Sequence, residues 1–327
     1  MADIAPLRNL RAQCLCTRSS LTFAVPISSL PLRTHFCHCS ICRHTHGTLC
    51  TIHAFISPPA FNPDTFTTYK SSIATRYFCS TCGAHMMDYG EGNWCLATSL
   101  VEGDDENLWK FTEHIFLDAT GDGGVGGLLD EINGSKLDKW KERDESSGEW
   151  MPSPSSSQST SSSTALQASC YCKGVQFSIS RPTPNTHDPA PENLTPTDRN
   201  KWFAVFCFCT SCRLASGCAI MPWTFLTTDA ITLLDGSPYR PVFGTAKLYE
   251  SSRGIARTFC GTCGATLAYH TDERPGMVDI AVGLLETKNS LDRGWLEWRT
   301  HRLAKEEDAV WHGLKSSLKE GLRKLKD

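Results

Sequence analysis

The chain has 327 residues, a net charge of -3 and an isoelectric point near 6.4, a balance that gives no electrostatic reason to expect nucleic acid or an anionic membrane as the main partner. No apolar run reaches the roughly 18 residues that a membrane helix needs. At roughly 100 to 200 residues per domain, the length suggests two units.

Met1 to Leu10 lacks a basic segment followed by an apolar run, so no signal peptide into an oxidising compartment is expected. The cytoplasm is the default location, with a nuclear one left open. The 17 cysteines are therefore read as thiols first and as a disulfide framework second.

The first cysteines, Cys14 and Cys16, are followed by the alternation Leu21, Phe23, Val25, which predicts a strand. Next come Cys37-x-Cys39-x-x-Cys42, then Arg43 and, four residues on, Gly47. Strand-like segments are expected at 65–69, 76–78, 94–98 and 113–116. Between the second and third of these stands Cys79-Ser-Thr-Cys82-Gly83, where glycine suits a tight metal knuckle. The charged stretch 136–149 reads equally as a short helix or as linker. The Ser- and Pro-rich run 151–164 cannot build an apolar face and reads as a tether.

The pattern then repeats with Cys170 and Cys172, the alternation Val175, Phe177, Ile179, the triplet Cys207, Cys209, Cys212 followed by Arg213 and Gly217, and Cys260-x-x-Cys263-Gly264. Corresponding cysteines lie 156, then 170, then 181 positions apart. Two insertions in the second copy follow, placed at 181–200 and around 234–245, where Pro, Gly, Asn and Asp make loop chemistry. Matching strands are expected at 246–250, 257–259, 278–282 and 299–302. Val310, Leu314, Leu318, Leu322 and Leu325 recur at helical spacing with basic residues between them, an amphipathic helix docked on the domain or on a partner. The reading is mainly β: domains at 8–135 and 167–304, a linker at 136–166 and a helix at 305–327.

Each copy carries seven patterned cysteines. A closed tetrahedral zinc site takes four ligands, and an open one takes three plus water or substrate. Cys14, Cys16, Cys79 and Cys82, and likewise Cys170, Cys172, Cys260 and Cys263, read as closed structural sites. The triplets read as open sites, so the chain would hold up to four zinc ions. Iron–sulfur ligation is the minor alternative. A triplet can also be closed by a fourth residue: His35, His38, His44, His46, His53 or Cys50 in the first copy, Cys218 in the second. A small apolar role is the default for Cys50, Cys95 and Cys218. His38 is replaced by Phe208 in the second copy, which argues against a shared acid role.

The order Cys-x-Cys, Cys-x-Cys-x-x-Cys-Arg, Cys-x-x-Cys-Gly, written twice, resembles the glutathione-dependent formaldehyde-activating enzyme family, which includes centromere protein V. The resemblance covers about residues 10–118 and 168–303. It implies two tandem β-tent domains, structural zinc at the outer cysteine pairs, and a triplet zinc linked to glutathione chemistry. The activity it implies is that of a carbon–sulfur lyase, acting on a thiol adduct such as S-(hydroxymethyl)glutathione through Cys37, Cys39, Cys42, Cys207, Cys209 and Cys212. The partners are then a small-molecule thiol and a carbonyl compound. Arg43 and Arg213, or Arg76 and Arg257, are candidates to hold a carboxylate of glutathione, against a plain surface or backbone-bonded role. A non-catalytic zinc-stabilised protein-binding module is the competing reading, and a chromatin binder a third that the net charge weakens.

Overall fold

A computed structural model describes residues 6–152, 163–187 and 190–326. Most of the Ser/Pro tether therefore lies outside the described residues. The first half contains β1 (Leu7–Gln13), β2 (Ser20–Pro26), β3 (Leu32–Cys37), α1 (Ser40–His46), β4 (Thr51–Ile56), β5 (Ala60–Phe61), β6 (Phe66–Lys70), β7 (Thr75–Cys79), β8 (His85–Gly90), β9 (Asn93–Ala97), β10 (Trp109–Ile115), β11 (Glu131–Ile132), β12 (Ser135–Lys136) and β13 (Asp138–Lys139). The second contains β14 (Ala165–Ser169), β15 (Gln176–Ser180), β16 (Trp202–Cys207), α2 (Thr210–Ser216), β17 (Met221–Thr227), β18 (Ile231–Leu233), β19 (Ala246–Ser252), β20 (Ile255–Cys260), β21 (Thr266–Thr271), β22 (Met277–Ala281) and β23 (Leu296–Trp298), and α3 (His312–Arg323) follows it.

Each half pairs a small sheet with a large one. The small sheets run β1-β2-β5 and β14-β15-β18, and the large ones run β13-β10-β3-β4-β9-β8-β7-β6 and β19-β20-β21-β22-β17-β16-β23. Pairing is antiparallel except where β10 meets β3 and β13, and where β23 meets β16. Leu21, Phe23 and Val25 are buried, as their alternation requires, and so are Phe177 and Ile179. The insertion at 234–245 is the connection between β18 and β19, and the described residues of 181–200 form short 3-10 turns.

Three segments depart from or resolve the sequence reading. The charged stretch 136–149 is neither helix nor tether. Its Asp138 and Lys139 add an edge strand to β10, and Trp150 packs against Gly123. The strand expected at 299–302 falls instead at 296–298, because the chain bulges before Ala304 bridges to Cys207. Finally, α3 follows the second half in sequence but docks on the first. Leu314, Leu318 and Leu322 are buried, Gly321 lies against the Leu128 backbone, and Glu106 accepts from the backbone N–H of His312 and Gly313. Trp311 packs its ring against Phe111 and Trp109.

The two halves share one continuous core, and their contact is reciprocal. Leu15 N–H donates to the Leu214 carbonyl at 3.0 Å, and the corresponding Tyr171 N–H donates to the His44 carbonyl at 3.1 Å. The helix-ending Gly47 (φ 74°) and Gly217 (φ 78°) lie where a Cβ would stand 2.2 Å from the Thr266 carbonyl oxygen and 2.1 Å from that of His85. Only glycine accepts both the left-handed backbone and the close approach. The knuckle glycines behave alike: Gly83 admits the Phe259 ring and Gly264 admits Phe78. Such swapping of equivalent contacts is what a two-fold homodimer interface looks like when one chain supplies both sides.

Candidate metal centres

The outer cysteine pairs come together as the spacing requires. β1 delivers Cys14 and Cys16 to the turn that follows β7, where Cys79 and Cys82 stand, and the second half does the same with Cys170, Cys172, Cys260 and Cys263. Sulfurs of Cys14 and Cys16, and of Cys16 and Cys79, are 3.5 Å apart, as are those of Cys170 and Cys172, and of Cys172 and Cys260. A tetrahedron with zinc–sulfur bonds of about 2.3 Å has edges of roughly 3.8 Å, so both quartets fit zinc with little adjustment. Their sulfur-only donor set is saturated, and three of four residues in each quartet are buried.

Each triplet sits where a strand turns into a short helix. Cys37 ends β3, Cys39 caps α1, and the Cys42 N–H donates to the Cys39 sulfur at 3.3 Å. Cys207, Cys209 and Cys212 repeat this on β16 and α2, with the corresponding contact at 3.2 Å. Within each triplet the sulfurs lie within 4.8 Å of one another, a three-thiolate set that fits zinc with one position left over. An arginine from the far side of the large sheet, on β7 in the first half and β20 in the second, approaches the third sulfur. Arg76 lies 3.7 Å from Cys42 Sγ, and Arg257 lies 3.6 Å from Cys212 Sγ. Hydrogen bonds from Cys37 and Cys39, with the Arg76 charge, hold the Cys42 thiol well below its ordinary range. Cys207, Cys209 and Arg257 do the same for Cys212.

The surroundings of the two triplets differ. A cavity of about 270 Å³ opens beside the first and is lined by Cys37, Cys42, Arg76, Asp88, His35, His53, Cys95 and Glu113. Arg76 is 1% exposed and donates to Asp88 at 3.0 Å, which fixes the guanidinium against Cys42. Burial lifts the Asp88 carboxyl to about 6 against the pull of Arg76, and burial brings His35 and His53 down to about 4, leaving both imidazoles neutral. In the second half the strand register puts Val205, Trp223, Asp279 and Tyr269 at the positions of His35, His53, Cys95 and Asp88. Trp223 is buried there, the Arg257 guanidinium lies 5.0 Å from the Tyr269 ring, and Arg274 closes an ion pair with Asp279 at 2.7 Å.

Two sequence expectations need correction. Arg43 and Arg213 are not poised for a ligand: both are buried in the contact between halves, Arg43 donating to Ser290 Oγ at 2.8 Å and Arg213 to the Ser99 carbonyl. The helix turn that follows each triplet carries them away from the sulfurs and toward the opposite half. Arg76 and Arg257, the second pair considered, are the ones beside the sulfurs. Cys95 is also not simply a buried apolar filler, because it lines the cavity with His35 and His53. Among the other histidines, His38 is bonded to His114 at 2.9 Å, His44 to the Ser169 carbonyl, and His46 stacks on His85.

The fold and sites together define a tandem β protein built around four thiolate clusters suited to zinc. The family model of the glutathione-dependent formaldehyde-activating enzyme matches residues 9–119 and 194–299, and the chain belongs to that family. A crystal structure of a Rhodobacter sphaeroides protein is similar over 41% of this chain and 99% of its own length, at 19% identity and a TM-score of 0.27. A comparison with curated proteins finds no significant match. No helix among the described residues is long and apolar enough to cross a membrane.

Proposed function

We propose that the chain is a zinc-dependent carbon–sulfur lyase acting on a glutathione-type thiol adduct such as S-(hydroxymethyl)glutathione, with its reacting centre at Cys37, Cys39 and Cys42. Membership of the formaldehyde-activating family supports the reaction class. The observation that carries the choice of centre is the cavity, which exposes Cys37 and Cys42 to a space of about 270 Å³. The chemistry that zinc supplies when bound to the triplet is a lowered pKa for an incoming thiol.

The chain's own groups account for the rest. Arg76, held rigid by Asp88, places a fixed positive charge against the sulfurs and offsets the negative charge of a thiolate arriving there. In the adduct-forming direction the thiolate sulfur bonds to the carbonyl carbon, the carbon–oxygen π bond breaks, and the oxygen takes a proton. The lyase direction reverses each change. Asp88, Glu91 and Glu113 are the acidic side chains on the cavity wall, and Asp88, raised to about 6 by burial, is placed to hold or release that proton. Arg143 stands at the rim in an ion pair with the exposed Glu91 at 2.6 Å, from which it can turn to a carboxylate of the peptide.

A different role fits the second triplet. Trp223, Tyr269 and the Arg274–Asp279 pair occupy the positions that line the cavity in the first half, so the second half is a non-catalytic zinc-stapled partner that packs against the first. Cobalt substitution tests both statements. Glutathione should alter the cobalt absorption of the native chain and of Cys209→Ser, but not of Cys39→Ser, and S-methylglutathione should leave every spectrum unchanged. Formaldehyde consumption should follow the same order. An unchanged spectrum with glutathione, together with a consumption rate equal to that without protein, would remove the proposed activity and leave the zinc-domain assignment.

A further inference from the structure

A single row of side chains crosses the cavity face of the first large sheet. In the strand register His35 on β3 stands opposite Glu113 on β10 and His53 on β4, while Cys95 on β9 stands opposite Phe55, two residues beyond His53. Residues directly opposite in a sheet share a face, and so do residues two apart on one strand. His35, His53 and Cys95 therefore point to one side. Their ligating atoms lie within 4.8 Å of one another, and the two imidazole planes meet at 88° with centroids 6.4 Å apart.

We propose that His35, His53 and Cys95 form a metal site of their own, a two-imidazole, one-thiolate set for zinc or a similar divalent first-row ion, separate from the triplet zinc and sharing its cavity. The donor chemistry suits such an ion, since imidazole and thiolate are the preferred ligands of zinc and cobalt. Bonds of about 2.0 to 2.3 Å put such ligands roughly 3.5 Å apart, so closing onto a metal takes side-chain shifts of about 1 Å. The ring nitrogens are available: among the described residues no hydrogen bond engages those of His35 or His53, and the nearest acidic oxygen to His53 Nδ1 is that of Asp88 at 3.9 Å. A carboxylate at that distance is placed to steady a ligating ring. All three residues line the cavity, so the fourth coordination position faces the same space as Cys37 and Cys42.

The second half supplies the contrast. Its Val205, Trp223 and Asp279 stand in the same register positions, and neither Val nor Trp offers a metal ligand. The site is thus a property of one half only, unlike the four thiolate clusters.

Metal counting on the full chain, saturated with zinc and then desalted, tests the assignment without any activity measurement. The native chain should hold one equivalent more than Cys95→Ala and one more than His35→Val, a change that installs the second half's own residue. The remaining equivalents report that each variant is folded. In a chain carrying Cys37→Ser, Cys39→Ser and Cys42→Ser, the extra equivalent should persist, and adding Cys95→Ala should remove it. Equal zinc in the native chain, Cys95→Ala and His35→Val would overturn the proposal. So would loss of the extra equivalent with the triplet, which would make the histidines ligands of the triplet's own ion.

Discussion

Adding one methyl group at Gly47 measures the contact between the halves. Alanine there must adopt φ near +74°, which costs an L-residue about 1–2 kcal/mol. Its Cβ would also lie 2.2 Å from the Thr266 carbonyl oxygen. That atom is backbone, so it yields only by moving strand β21, and overpacking of this kind costs about 1–3 kcal/mol. The sum is about 2–5 kcal/mol. Gly92→Ala is the control, since Gly92 has φ +80° with nothing within 4 Å of the added carbon. It carries the backbone strain alone, about 1–2 kcal/mol. Urea unfolding of the zinc-loaded chain should therefore place Gly47→Ala below Gly92→Ala by about 1–3 kcal/mol with an unchanged slope. Gly217→Ala, whose Cβ would stand 2.1 Å from the His85 carbonyl oxygen, should match Gly47→Ala. Equal stabilities of Gly47→Ala and Gly92→Ala, within about 0.5 kcal/mol, would refute the reciprocal packing of the halves.

Cys82→Ser or Cys263→Ser should each cost one zinc and destabilise the chain, because binding at a closed thiolate site is coupled to folding; Cys209→Ser should leave the unfolding midpoint nearly unchanged, and equal losses from all three would mean that the second triplet is equally structural. Leu318→Ala empties a fully buried position on α3 and should cost about 2–5 kcal/mol; hydrogen exchange should show the loosening in β11 and the 106–130 region of the first half, although the mutation follows the second half in sequence. His270 is held at about 4 by burial, below its unfolded value near 6.5, so the unfolded chain binds the proton first as pH falls. Stability is full above pH 6.5 and declines toward pH 4, and His270→Gln should remove up to about 3 kcal/mol of that decline in urea titrations at the two pH values.

The repeated cysteine spacing groups the sulfurs within each pair and triplet, because Cys-x-Cys and Cys-x-x-Cys hold them within a few residues, whereas the meeting of Cys14 and Cys16 with Cys79 and Cys82 is made by the fold. Alternation at Leu21–Val25 and at Val175–Ile179 placed strands for a similarly local reason: a period of two has one buried face. The helical spacing of Leu314, Leu318 and Leu322 named a helix and its apolar stripe, but not the surface it covers. That surface belongs to the other half, and no local pattern encodes a docking site some two hundred residues away in the chain. The same limit explains the arginines. Arg43, directly after the third triplet cysteine, is the expected ligand-holding residue in the sequence, and only the direction of α1 against the register of β7 sends it into the interface and brings Arg76 to Cys42 instead. The grouping of His35, His53 and Cys95 likewise spans three strands. Each residue alone reads as a cavity wall or core side chain, and strand pairing decides that they meet. The near-symmetry of the cysteines was written in the chain, whereas the asymmetry of the two cavities arises from what cross-strand neighbours place over identical triplets.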